Sequence, residues 1–141
     1  TTPIQIARAL SILANGGNMI TPHVIEKPPA TAQVSLKDLN AYNLQIIREG
    51  MRQAVTQGSA RSLLVLPVTV AGKTGTAQAS GTSRFHSWFT GFAPYTDPDI
   101  ALVVLIEEGG ESTEAAVPLA KQIFSYWFAM RPTIKEVQRD H

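Results

Sequence analysis

One short segment, Ala71-Gly72-Lys73-Thr74-Gly75-Thr76-Ala77-Gln78, brings together residue types that suit the reception of an anion. Lys73 supplies an ammonium and Thr74 and Thr76 supply hydroxyl donors. Gly75 between them lacks the side chain that would hold a ligand's backbone at a distance. In a strand, the period of two turns the Thr74 and Thr76 hydroxyls to one face. A peptide carboxylate fits such a set. Gly72-Lys73-Thr74 also imitates the end of a phosphate-binding P-loop. That motif needs a glycine where Pro67 stands, and a helix where Gly75-Thr76 continues a strand pattern, so the phosphate reading is rejected. Lys-Thr-Gly by itself arises by chance in about 3% of chains this long, given average residue usage, so its context has to decide.

The elements around the segment are legible from periodicity. Residues 68–77 are β-branched and small, 86–92 are aromatic and β-prone, and 100–107 form a nearly continuous apolar run of the kind found in a central strand covered on both faces. A turn signal, Pro94-Tyr95-Thr96-Asp97-Pro98-Asp99, separates the last two, and three strands with short links predict an antiparallel meander. Before them, Thr2 is a helix cap with Pro3 at the first position. Ile4, Ala7, Leu10, Ser11 and Ala14, widened by Ile6 and Leu13, form its apolar stripe, and Gly16-Gly17 ends it. Residues 18–29 predict a short extended excursion and a surface turn, with Pro22, Pro28 and Pro29 as breakers.

A second helix is predicted from a capping-box-like start at Ser35-Leu36-Lys37-Asp38, through Leu39, Asn43, Ile46, Ile47, Met51, Ala54 and Val55, to Gly58. After Gly109-Gly110, Ser112 or Thr113 caps a last helix with an apolar face of Val117, Ala120, Phe124, Trp127 and Phe128. Pro118 is tolerable only in its first turn, so the regular part is expected to begin closer to Val117. From Arg131 the chain turns polar and is expected to fray. Helix, helix, three strands, helix is an α+β layer arrangement.

Composition narrows the chemistry. The 141 residues are 44% hydrophobic and 16% charged, as in ordinary globular domains. Twelve basic against eleven acidic side chains leave +1, with no basic stripe, so nucleic acid is not an expected partner. The absence of cysteine excludes disulfides and thiolate chemistry within the chain. His23, His86 and His141 lack metal-ligand spacing, so no metal and no cofactor is predicted. Trp88, Phe89 and Phe92 read as core and strand-edge aromatics. Glu107 and Glu108 read as a solvated strand end rather than an acid–base pair, and Arg84 as a loop charge.

The context of the segment carries a resemblance. Gly72-Lys73-Thr74-Gly75-Thr76-Ala77-Gln78 followed by His86-Ser87-Trp88-Phe89-Thr90-Gly91-Phe92-Ala93-Pro94 is similar to the penicillin-binding proteins. So are Thr2-Pro3-Ile4-Gln5-Ile6-Ala7-Arg8-Ala9, Leu13-Ala14-Asn15-Gly16-Gly17, Ile47-Arg48-Glu49-Gly50-Met51-Arg52 and Gly58-Ser59-Ala60-Arg61. The likeness is best to the monofunctional class B transpeptidases of the cell-elongation type. It implies that residues 1–130 are the C-terminal part of a transpeptidase domain, with 131–141 as a polar tail, and that the chain gives three strands of a five-stranded sheet.

The resemblance also implies an activity: crosslinking of peptidoglycan stem peptides by serine acyl transfer, with acylation by β-lactams. Such enzymes use Ser-x-x-Lys, Ser-Asp-Asn and Lys-Thr-Gly motifs. Only the third is present here, since no serine from Ser11 through Ser125 has lysine three residues later or asparagine two later. The chain therefore reads as a piece that begins inside a longer domain. Its partner would be an upstream segment carrying the two serine motifs, and by itself it is expected to be inert. By resemblance, Lys73 acts electrostatically beside those motifs, Thr74 and Thr76 hold the substrate's terminal carboxylate, Gly75 keeps the approach open, and the Thr76 N–H forms half of an oxyanion hole. The other implied partners are stem peptides, β-lactams and elongation-complex proteins, at the extracytoplasmic face of a bacterial inner membrane. Two alternatives stand beside the enzyme: a β-lactam-sensing or degenerate module of the same fold, and an unrelated α+β interaction domain.

Overall fold

The structure is a computed structural model that describes residues 1–24, 34–35 and 39–137. Helix α1 (Pro3–Ala14) starts where Thr2 and Pro3 predict: Thr2 is the N-cap, and the Gln5 side chain accepts from the Thr2 backbone N–H at 2.9 Å. Leu10, Ser11 and Ala14 form its buried face. Gly16 and Gly17 follow with φ of 77° and 115°, a region open to glycine, and Gly17 N–H returns to the Ile12 carbonyl at 2.8 Å. The start of the extended excursion appears as β1 (Asn18–Met19), paired antiparallel with β2 (Val34–Ser35), while the turn expected at Pro28 and Pro29 lies outside the described residues.

That pairing corrects the predicted start of the second helix. Ser35 lies in the ladder opposite Asn18, while helix α2 (Ala41–Thr56) is capped by Asn40, whose side chain accepts from the Tyr42 and Asn43 amides. Serine and asparagine are nearly equivalent as caps, so the local pattern allows two starts, and the long-range strand pairing selects the later one. The predicted Leu36, Lys37 and Asp38 fall outside the described residues. Of the apolar face expected for α2, Met51 and Val55 are buried, whereas Ile46 and Ile47 are about half exposed. A short 3-10 helix (Arg61–Val65) follows and buries Leu63.

The meander is formed as expected by β3 (Ala71–Gln78), β4 (Phe85–Ala93) and β5 (Ile100–Ile106), antiparallel and in the order β3-β4-β5. The central strand among the described residues is β4, not β5. The apolar run of β5 arises because helices lie on both of its faces: Ile100, Leu102, Val104 and Ile106 join the core beneath the last helix, and Val103 joins the core beneath α1. Helix α3 (Ala116–Val137) has Pro118 in its first turn, as the sequence requires, and Val117, Ala120 and Phe124 are fully buried. Its helical backbone continues past Arg131 to Val137, where fraying was expected.

Packing against α3 explains two features of the sheet. Phe89 and Phe124 meet edge to face at 6.4 Å, and the Phe89 ring lies over the cross-strand pair Gly72 and Gly91. A Cβ at Gly72 would come within 2.5 Å of that ring, and one at Gly91 within 2.7 Å, so both positions must be bare. Ser87, fully buried on the same face, accepts from the Ala116 N–H at 3.1 Å and so satisfies an orphan amide at the start of α3.

Candidate functional site

Strand β3 lies at one end of the ladder, so its outer edge has no partner strand among the described residues. Its burial changes along its length. Ala71 and Gly72 are buried, Thr74 and Gly75 are half-buried, and Lys73, Thr76, Ala77 and Gln78 are exposed. All four residues predicted for the site therefore fall on an accessible strand. The cross-strand pairs fix the faces: Lys73 stands with Thr90 and Gly75 with Trp88, while Thr74 stands with Phe89 and Thr76 with Ser87. Thr74 and Thr76 share a face, and Lys73 starts from the other.

Lys73 folds back on the strand, where its Nζ donates to the Thr74 carbonyl. On its own face Lys73, with Thr90, ends an apolar cleft of ≈ 440 Å³ between α1 and α2, lined by Ile6, Leu10, Leu13, Ile47 and Met51. On the other face the two hydroxyls already have partners that the sequence did not reveal. Thr74 Oγ1 lies 2.6 Å from Ser59 Oγ, and Thr76 Oγ1 donates to Glu111 Oε2 at 3.3 Å. Both contacts join residues distant in sequence, Ser59 from the turn after α2 and Glu111 from the turn before α3. Neither has a local motif that could have announced it.

Gly75 differs from Gly72. A Cβ at Gly75 would meet only Trp88 Cβ, at 3.3 Å, so internal packing does not demand a glycine there. The residues set aside at the rim form a separate group. Arg84 pairs with Glu108, a residue with φ of 53°, and His86 Nδ1 accepts from the Glu108 N–H at 3.1 Å. In a neutral ring that bond leaves the His86 proton on Nε2. Phe89 and Phe92 are fully buried and Trp88 half-buried, as expected of core and strand-edge aromatics.

The comparisons with known proteins agree with this geometry. The family described as penicillin binding protein transpeptidase domain matches residues 1–125. The peptidoglycan D,D-transpeptidase MrdA of Acinetobacter baumannii is 30% identical over 92% of this chain and 23% of its own length, and that of Haemophilus influenzae is 30% identical over 92% and 24%. The chain thus spans about a quarter of the length of these relatives. Among solved structures, penicillin-binding protein 2 of Pseudomonas aeruginosa in complex with WCK 5153 superposes with a TM-score of 0.77 at 36% identity, over 90% of this chain and 30% of that one. The complex of penicillin-binding protein 2 and MreC from Helicobacter pylori gives 0.79 at 30% identity, over 92% and 25%. The α+β fold, the open strand and these likenesses converge: the chain belongs to the penicillin-binding protein transpeptidase domain family, in its class B, penicillin-binding-protein-2-like branch.

Proposed function

We propose that this chain supplies the substrate-clamping strand of a peptidoglycan D,D-transpeptidase, with residues 1–130 as the C-terminal part of the catalytic domain and 131–141 as a tail. The observation that carries the proposal is the accessible edge of β3, with Lys73, Thr74, Gly75 and Thr76 presented together inside the family match. An extended stem peptide lies along that edge. The Thr76 hydroxyl turns from Glu111 to the peptide's terminal carboxylate. Thr74 donates to the same group while accepting from Ser59, since a hydroxyl has one proton and two lone pairs.

Chemistry then needs a nucleophile from outside the chain. A serine in a Ser-x-x-Lys motif upstream attacks the penultimate D-alanine carbonyl, and the developing oxyanion is held by the serine's own N–H and that of Thr76. Loss of D-alanine leaves an acyl-enzyme, which the amine of a second stem resolves into a crosslink. A β-lactam enters by the same carboxylate contacts and stops at the acyl-enzyme. Lys73, beside the serine motifs, contributes positive charge and orients their polar groups.

The imipenem acyl-enzyme complex of penicillin-binding protein A from M. tuberculosis and the complex of penicillin-binding protein 2 with MreC support β-lactams and cell-elongation proteins as partners of the whole protein. The place of work is the bacterial envelope, at the extracytoplasmic face of the inner membrane. The test is Lys73→Ala in the full-length protein. Labelling by a fluorescent penicillin is expected to slow about 10²-fold or more, the scale of losing one preorganised electrostatic contact. Labelling at the wild-type rate refutes the clamp. Crosslinking of stem peptides, or its absence in a protein that still acylates, separates the enzyme from a sensor.

A further inference from the structure

The N-terminal end of β3 is held by Arg52 of α2, and Arg48, one turn away on the same helix, holds the elements around it. Arg52 Nη1 donates to the Val70 carbonyl at 2.7 Å, at the residue immediately before the strand begins. Arg48 reaches three carbonyls: Leu13 at 2.7 Å and Ala14 at 2.8 Å, at the C-terminal end of α1, and Tyr95 after β4. Its guanidinium also lies 4.8 Å from the centroid of the Phe92 ring and 5.4 Å from that of Tyr95. Tyr95 closes the circuit, because its N–H donates to the Thr69 carbonyl at 2.8 Å and approaches the Thr69 hydroxyl at 3.1 Å. Thr69 and Val70 are thus fixed from two directions, by α2 and by the turn after β4.

Position along an edge strand matters more than elsewhere. Such a strand has a neighbour on one side alone, so its placement depends on that ladder and on whatever grips its ends. A planar guanidinium with several donors fixes carbonyls in direction as well as distance, which a point charge does less well. From the anchored Val70 the pleat carries Lys73 and Thr74 at set offsets. We infer that Arg52, supported by Arg48, is a positioning residue for the anion-binding strand: it sets where the Lys73 ammonium and Thr74 hydroxyl meet the ligand, without touching the ligand itself. The inference rests on the proposed role of β3 in binding the substrate carboxylate.

The experiment compares Arg52→Ala, Arg52→Lys and Lys73→Ala in the full-length protein. Acylation by a fluorescent penicillin is followed as a maximal rate and a half-saturating concentration, beside the thermal midpoint. A misplaced reacting group costs rate steeply, so Arg52→Ala is expected to lower the maximal rate about 10-fold at temperatures far below its midpoint, with Arg52→Lys, a donor without the planar fork, recovering only part of the loss. A lowered midpoint with an unchanged maximal rate overturns the inference and leaves Arg52 a stabilising residue only. If Lys73→Ala loses labelling while Arg52→Ala keeps it, the positioning inference alone fails. If Lys73→Ala labels normally, the clamp reading itself has failed. Should Arg52→Ala not fold, Arg52→Gln, with a donor on a shorter arm, is scored by the same readings.

Discussion

The two halves of β3 obey different constraints. Gly72 and Gly75 are three positions apart on one strand and identical in chemistry. The first is bare because the Phe89 ring fills the space a side chain would need, and the second faces no comparable obstruction. The upstream half is therefore specified by the fold, and the downstream half, exposed from Thr76 onward, is free to be specified by a ligand. One short motif thus contains a glycine that internal packing requires and a glycine that it does not.

Substitutions can break or sharpen that contrast. Gly72→Ala carries the largest expected cost, about 3 kcal/mol of stability in denaturant unfolding, because the ring it strikes is held against Phe124 and cannot swing aside. Ser87→Ala, on the same buried face, is expected to cost about 1–2 kcal/mol in the same measurement, since it strands the Ala116 amide away from water. Gly75→Ala should cost less than about 1 kcal/mol, the scale of a squeeze that neighbours can absorb, yet slow penicillin acylation severalfold. Equal losses of stability at Gly72 and Gly75 would erase the distinction.

The sequence made visible those elements whose signals are local. Thr2 and Pro3 place the start of α1, Pro118 confines the start of α3, and alternation places β3 and β4. It misled where two local answers were equally good. Ser35 and Asn40 are both strong caps, and only the pairing of Val34–Ser35 with Asn18–Met19, distant in sequence, chooses between them. The run in β5 is covered on both faces as expected, yet among the described residues β5 is an outer strand, because burial by two helices leaves the apolar pattern of a central strand. At the candidate site the donors were legible because they are consecutive. Ser59, Glu111 and the arginine anchors of α2 were not, since each acts on residues far along the chain.

The edge of β3 that is unpaired among the described residues has a consequence for the molecule's own company. An open strand is a template for an extended chain, a second copy of the same strand included, because the main-chain hydrogen bonds of β-augmentation do not by themselves discriminate by sequence. Lys73 sits on this edge with its ammonium folded over the Thr74 carbonyl, so two such edges brought together would meet charge against charge. Under the proposed function, the side chain that draws in an anionic peptide would also keep two such edges apart.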